Sequence, residues 1–177
     1  MTEQTPAPAA EAKPAPDPVA ERHKLCLMLY GIFAVSLVLQ FINLWTTIIG
    51  SAAIIAGIVI CYMERKKSYG SLHGNHIQWL IRTFWIGSAV YLPIVTLIGF
   101  IAIMCVIDYA PMAEAFSTGE GNMQTAMKAL LTQNSQKIII TLVICTAPFA
   151  LWWWWRCWYG FKRLKAGKPI PNPMSWF

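Results

Sequence analysis

Charge is what this sequence has least of. Only 12% of its 177 residues are Asp, Glu, Lys or Arg, against about 25% in a soluble domain. In contrast, 56% are hydrophobic, and the mean hydropathy is +0.48. So little polar surface excludes a water-soluble globule of this length and leaves one membrane domain, with no room for a second globular unit. Motifs for chemistry are equally scarce. The five cysteines, Cys26, Cys61, Cys105, Cys145 and Cys157, include no CxxC pair and no metal spacing, so they read as small buried hydrophobes rather than a disulfide framework. None of the three histidines, His23, His73 and His76, lies mid-membrane on facing segments, where a bis-histidine haem needs its ligands. His73 and His76 are three apart, but with Glu64 as the one acid in that region they make no metal site. No nucleophile elbow, P-loop, HExxH or paired carboxylate is present. No ionisable residue falls at the centre of an apolar run, where ion-coupled transporters place theirs. The expectation is a non-enzyme with no catalytic residue, metal or cofactor.

What is present is apolar length. Four runs stand out, over residues 25–44, 46–63, 77–107 and 138–158. About 20 helical residues cross a bilayer core, and a backbone in lipid must satisfy its own hydrogen bonds, which makes each run a helix. The fold class is therefore all-α, a polytopic membrane protein with four transmembrane helices, the first two joined as a tight hairpin. Residues 1–22 read as a disordered Pro/Ala-rich tail and not as a cleavable signal, since residues 1–20 hold five of the eleven prolines. Residues 23–158 form the membrane domain, and residues 159–177 a basic, Pro-rich tail.

The basic residues set the orientation. With the N-terminus inside, Lys13, Arg22, Lys24, Arg65, Lys66, Lys67, Arg82, Arg156, Lys162, Arg163, Lys165 and Lys168 are cytoplasmic, and Lys128 and Lys137 are not. Twelve against two predicts both termini in the cytoplasm. The net charge of +6 then needs no nucleic acid; it suits the bilayer and anionic lipid headgroups. Trp45, Trp79 and the run Trp152, Trp153, Trp154 and Trp155 suit interfacial belts, although four consecutive tryptophans must point all round a helix.

Finer features follow from spacing. The third run is too long for one crossing, so its first turns, with His76, Gln78, Trp79 and Arg82, are expected to lie at the cytoplasmic interface. Pro93 and Pro148 sit inside the third and fourth helices and should kink them, freeing the carbonyls of Ala89 and Ile144. Ala52/Ala56 and Ala53/Gly57 give small-xxx-small spacings for close helix approach. Gln40, Asn43, Thr96, Thr141 and Thr146 are candidates for interhelical hydrogen bonds. In the outer loop, residues 108–137, an apolar stripe of Met123, Ala126, Met127, Leu130 and Leu131 predicts a short amphipathic helix on the outer bilayer face or a Met-rich partner surface.

The candidate lipid- or partner-binding residues are Arg82, Arg156, His76, Trp79 and Lys168. An arginine at the cytoplasmic end of a helix either snorkels or forks onto a phosphate or carboxylate. The tail from Lys168 through Pro169, Pro171 and Pro173 is either merely extended or preorganised as polyproline II for a partner's groove.

Two segments carry a resemblance. In residues 76–87, His76 is followed six residues later by Arg82, Thr83 and Phe84; residues 156–176 hold Arg156-x-x-x-Gly160 and then Gly167-Lys168-Pro169-Ile170-Pro171. Over roughly residues 25–177 the chain resembles a family of small bacterial inner-membrane proteins that is distantly similar to a chloroplast inner-envelope translocon subunit. The resemblance implies a four-helix membrane fold in a Gram-negative inner membrane and assigns no catalytic role. The expected function is a non-enzymatic accessory or interaction protein, partnered by another membrane protein or by further copies of itself. The alternatives are a small transport or translocation component and, with less behind it, an enzyme acting on lipid headgroups through His76 and Arg82.

Overall fold

A computed structural model describes residues 17–117 and 122–175; the expectation of disorder for the Pro/Ala-rich opening lies almost wholly outside them. Every element among the described residues is helical: α1 (Pro18–Leu39), α2 (Leu44–Lys67), α3 (Leu72–Trp85), a π-helical turn (Ile86–Tyr91), α4 (Leu92–Val106), α5 (Ala110–Ser117) and α6 (Met123–Lys165). With α3, the π turn and α4 running on as one rod, four helices are long and apolar enough to cross a membrane.

Local chemistry sets the ends. Asp17 caps α1 by accepting from the Val19 amide, with Pro18 in the first turn, where its missing donor costs nothing. The helix therefore starts ahead of residue 23, where the membrane domain was expected to begin. Asn43 and Thr46 form a reciprocal capping box at α2, each side chain bonded to the other's amide at 3.0 Å. These bonds close the α1–α2 hairpin with its polar groups satisfied. Gly50, Ile54, Gly57, Ile58 and Cys61 are the buried positions of α2. Gly57 meets Phe33, so the Ala53/Gly57 spacing serves packing inside the chain, whereas Ala52 and Ala56 are exposed.

Several expectations change. The first turns of the third run are packed inside the chain: His73, His76, Ile77, Trp79 and Leu80 are buried, and α3 packs between α2, α6 and α1. Pro93 falls in the first turn of α4, directly after the π turn, in which the Leu92 amide reaches back to the Gly87 carbonyl. The wider turn takes up the register where proline has no donor to give. Pro148 lies inside α6, which continues through it unbroken. The hydroxyls of Thr96 and Thr146 bond to Leu92 and Leu142 of their own helices, not across to a neighbour.

The stripe from Met123 to Leu131 is not a separate surface helix but the opening turns of α6. Ala126 and Leu130 are buried, and α5 packs on α6. The buried Asn134 side chain accepts from the Asp108 amide and donates to the Asp108 and Leu130 carbonyls, each at 2.9 Å. The segment that follows α4 is thus clasped to α6 through an amide side chain that hydropathy does not register.

At 1.5 Å per residue, α1 and α2 are about 33 and 36 Å long, the α3–α4 rod about 52 Å and α6 about 64 Å. All four begin or end together at one end of the bundle: Arg22 of α1 bonds to the Lys67 carbonyl at the end of α2, and Asn75 of α3 bonds to Ile170 just beyond α6. The α1–α2 hairpin therefore stops well short of the far ends of α4 and α6, and neither α1 nor α2 packs against α4 among the described residues.

Candidate functional site

One cluster of buried polar side chains, including His76, Thr83 and Arg156, lies at the shared end. Arg156 is fully buried (0% exposed) although it sits among apolar neighbours, where an unpaired guanidinium is not tolerated. Its Nε donates to Thr83 Oγ1 at 3.0 Å and its Nη1 to the Ser175 carbonyl at 3.2 Å. Its guanidinium carbon lies 3.6 Å from the Trp79 ring centroid and 5.3 Å from that of Trp152, in cation–π geometry. Trp79 Nε1 donates to the Arg156 carbonyl at 3.1 Å, and the Thr83 hydroxyl donates to the Trp79 carbonyl at 2.8 Å. Three side chains on α3 and α6 thus form a closed circuit.

His76, one turn away on α3, is also fully buried. Its Nε2 lies 3.1 Å from the Lys168 carbonyl and its Nδ1 3.0 Å from the Tyr30 hydroxyl. A carbonyl only accepts, so Nε2 carries the proton; in the neutral ring Nδ1 then accepts from Tyr30. Tyr30 packs over Gly160, where a Cβ would collide with the Tyr30 ring and hydroxyl. Gly160 is required there by that close approach.

The C-terminal segment closes the site. α6 continues to Lys165, past the expected boundary at 158, and Gly167 at φ +65° turns the chain back. Asn75 and Ile170 exchange two bonds, at 3.0 and 2.8 Å, as neighbouring strands do. Arg163 Nε donates to the Pro169 carbonyl at 2.9 Å, Gln78 contacts Met174 Sδ at 3.3 Å, and Ile170 is buried. The segment around Lys168, Pro169 and Pro171 is tied to the chain's own α3 and α6 through Asn75, Ile170 and Arg163, with Lys168, Pro169 and Pro171 exposed.

The structure therefore separates the sequence candidates. His76, Trp79 and Arg156 come together in one buried cluster, to which Lys168 contributes its carbonyl while its side chain stays exposed. Arg82 is half-buried on a different face, where it lines an open groove with Arg65. Pro93 and Pro148 belong to neither. Tyr30, Asn75 and Ser175 were missed, and Thr83 and Ile170 were noted only within the two motif segments; each is ordinary by type, and only its partner gives it a role.

The tryptophan run resolves by direction. Trp153 points inward, donating to the Phe33 carbonyl at 3.1 Å and stacking on Phe33, and its ring fills the space where Gly87 lacks a side chain. Trp152 stacks on Tyr91 at 4.5 Å and Trp155 on Tyr159 at 5.7 Å, while Trp154 faces outward. Of the cysteines, Cys26, Cys61 and Cys157 are buried in the core, Cys145 is half-buried and Cys105 exposed. No group of His, Cys, Asp and Glu among the described residues has the arrangement to hold a metal ion. No family model, curated protein or solved structure matches this chain.

Proposed function

We propose that this chain is a non-enzymatic accessory protein of the bacterial inner membrane, a subunit of a larger membrane assembly, with both termini in the cytoplasm. The observation that carries the reading is the far half of the molecule. There α4 and α6 run side by side without α1 or α2, and Leu92, Leu97, Ile98, Phe100, Ile101 and Met104 of α4 are exposed, with Gly99 its one buried residue. Ile139, Ile140, Leu142, Val143 and Ile144 of α6 are exposed beside them. Helices associate in lipid by close packing, and a two-helix ribbon offers a long surface to a further helix from a partner or a second copy. The buried polar cluster supports the non-catalytic part, because its donors are engaged in holding the chain's own helices and tail.

The topology rests on charge. Arg22, Lys24, Arg65, Lys66, Lys67, Lys162, Arg163, Lys165 and Lys168 occur where α1 begins and where α2 and α6 end, an asymmetry that favours the cytoplasm for that end. Reporter fusions after Lys67 and at Phe177 are expected to read cytoplasmic, and one near Gly121 periplasmic; a periplasmic reading at Phe177 overturns the orientation. The family resemblance of the two motif segments points to the same membrane.

Native mass spectrometry of gently solubilised complexes tests the function. A stoichiometric protein partner or a homo-oligomer is the expected result, and a bare monomer carrying only lipid contradicts it. One feature favours a second reading, a transport or translocation component: a crevice of about 200 Å³ at the fork between the α1–α2 hairpin and the α4–α6 ribbon, with Gln40, Ser51 and Ser88 on its walls beside the π turn. If water reaches this crevice, Ser88→Cys will react with a membrane-impermeant thiol reagent where the parent does not. Absence of reaction removes the transport reading.

A further inference from the structure

Tyr30 of α1 packs directly on Gly160 of α6, which puts the α1–α2 hairpin and the α4–α6 ribbon on one depth scale. From Tyr30 to Asn43, at the hairpin's tip, is at most about 20 Å at the helical rise. From Gly160 to Lys137, beyond which α6 leaves its apolar run, is about 34 Å. The tip therefore stops about 15 Å short of Lys137.

The ribbon carries the marks of a bilayer's two faces. The exposed rings of Trp154, Trp155 and Trp158, with Trp85 of α3 donating to the Tyr62 hydroxyl at 2.7 Å, form an aromatic belt of the kind found at an interface. Trp158 and Lys137 are about 32 Å apart along α6, which matches one hydrocarbon core. A bilayer fitted to the hairpin's tip instead would leave Ile101, Met104, Ile139 and Ile140, all exposed, in water. Tilting does not remove the mismatch, because it shortens hairpin and ribbon together.

The tip itself is made for hydrocarbon. Phe41, Ile42, Leu44 and Trp45 are each more than half exposed. The polar groups of the turn bond to one another: Asn43 and Thr46 close the capping box, the Thr47 hydroxyl lies 2.9 Å from the Asn43 carbonyl, and the amides of Gln40 and Phe41 donate to Leu37 and Val38. The Gln40 side chain lines the crevice shared with Ser51 and Ser88. A turn in water needs no such closure, whereas in lipid backbone groups must be satisfied within the protein.

We propose that α1 and α2 form a re-entrant hairpin, entering and leaving at the shared end, with the tip near the middle of the bilayer and acyl chains of the far leaflet lying over it. The chain then crosses the bilayer twice, with four helices in the near leaflet and two in the far one. The sides assigned to Lys67, Gly121 and Phe177 are unchanged, and the depth of the tip does not depend on which protein covers the ribbon.

Electron paramagnetic resonance of nitroxide labels, on the full chain in dioleoyl phosphatidylcholine vesicles, measures the depth. Cys105→Ser with Cys145→Ser removes the two thiols that are not buried. Single cysteines then enter as Ile42→Cys, Leu44→Cys, Leu97→Cys or Gln136→Cys, all at exposed positions. Collision with oxygen against collision with a water-soluble nickel chelate gives the depth of each label. Labels at Ile42 and Leu44 are expected about 15 Å deeper than the label at Gln136, and within about one helical turn of the depth at Leu97. Two tip positions are used so that one unfolded variant still leaves a reading. Nickel collision at the tip as frequent as at Gln136 overturns the re-entrant hairpin and makes it a full crossing. Tip and Gln136 labels equally deep in hydrocarbon overturn it as well, because Lys137 then does not mark the far face.

Discussion

Arg156 and Leu97 mark two halves built on different principles. Around Arg156 four helices converge, the rings of Trp79, Trp152 and Trp155 each pair with a tyrosine, and a returning tail supplies carbonyls to His76, Arg163 and Arg156. Around Leu97 two helices run alone, and large apolar side chains face outward with nothing of this chain against them. In water the second arrangement would be an aggregation surface. In a bilayer it is solvated, and what it lacks is specificity, which under the proposed function a protein partner supplies. The comparison teaches where the fold's stability resides: in the polar end, through directed bonds, and not in the apolar length that makes the chain a membrane protein.

The comparison breaks most readily at Arg156. Arg156→Ala leaves a cavity and removes the bonds to the Ser175 carbonyl and the Thr83 hydroxyl, and is expected to cost about 4 kcal/mol. Arg156→Lys recovers only part of this, since an ammonium lacks the plane that stacks on Trp79. Thermal unfolding in detergent reads both, and wild-type stability in either refutes the closed circuit. Next comes Gly160→Val, which forces Tyr30 from its seat beside His76 at a cost of about 3 kcal/mol by overpacking. Ile170→Ala releases a buried anchor of the tail for about 2 kcal/mol, and it should raise proteolysis after Gly167 while leaving the helices intact.

The far half responds locally. Asn134→Ala removes the bonds to Asp108 and Leu130 at a cost of about 1.5 kcal/mol, with faster hydrogen exchange in α5 and none in α3. The smallest effect is expected at the ribbon: Leu97→Ala and Ile140→Ala change the isolated chain by no more than about 0.5 kcal/mol. A large loss there would mean that the ribbon is a core and not a surface.

Hydropathy made the four long helices legible, because lipid selects apolar length directly. It also placed Pro93 near a distortion, though not the π turn that absorbs it, since a proline reports a missing donor and not where the register shifts. The buried cluster was half legible. His76, Trp79, Arg82 and Arg156 stood out as polar or aromatic residues in apolar surroundings, yet one face of α3 turns His76 and Trp79 inward while another leaves Arg82 at a groove. That division depends on where α6 and the tail pack, which involves residues some 70 to 95 positions away. Tyr30 and Asn75 carried no signal, because a tyrosine in an apolar helix and an asparagine near a helix start are both unremarkable until a partner arrives. The stripe from Met123 to Leu131 is helical, but periodicity alone does not say that it opens α6 or that only Ala126 and Leu130 of it are buried while Met123, Met127 and Leu131 stay exposed.

Site-specific photocrosslinking in native membranes tests the central claim, that the ribbon is the partner surface and the polar end is closed on itself. A photoreactive residue at Ile98 or Ile140, on the exposed ribbon, is compared with one at Val35, exposed on α1. The account predicts a discrete protein adduct of the same added mass at Ile98 and Ile140 and only lipid adducts at Val35. Lipid adducts alone at both ribbon positions, or the same protein adduct at Val35, would contradict it.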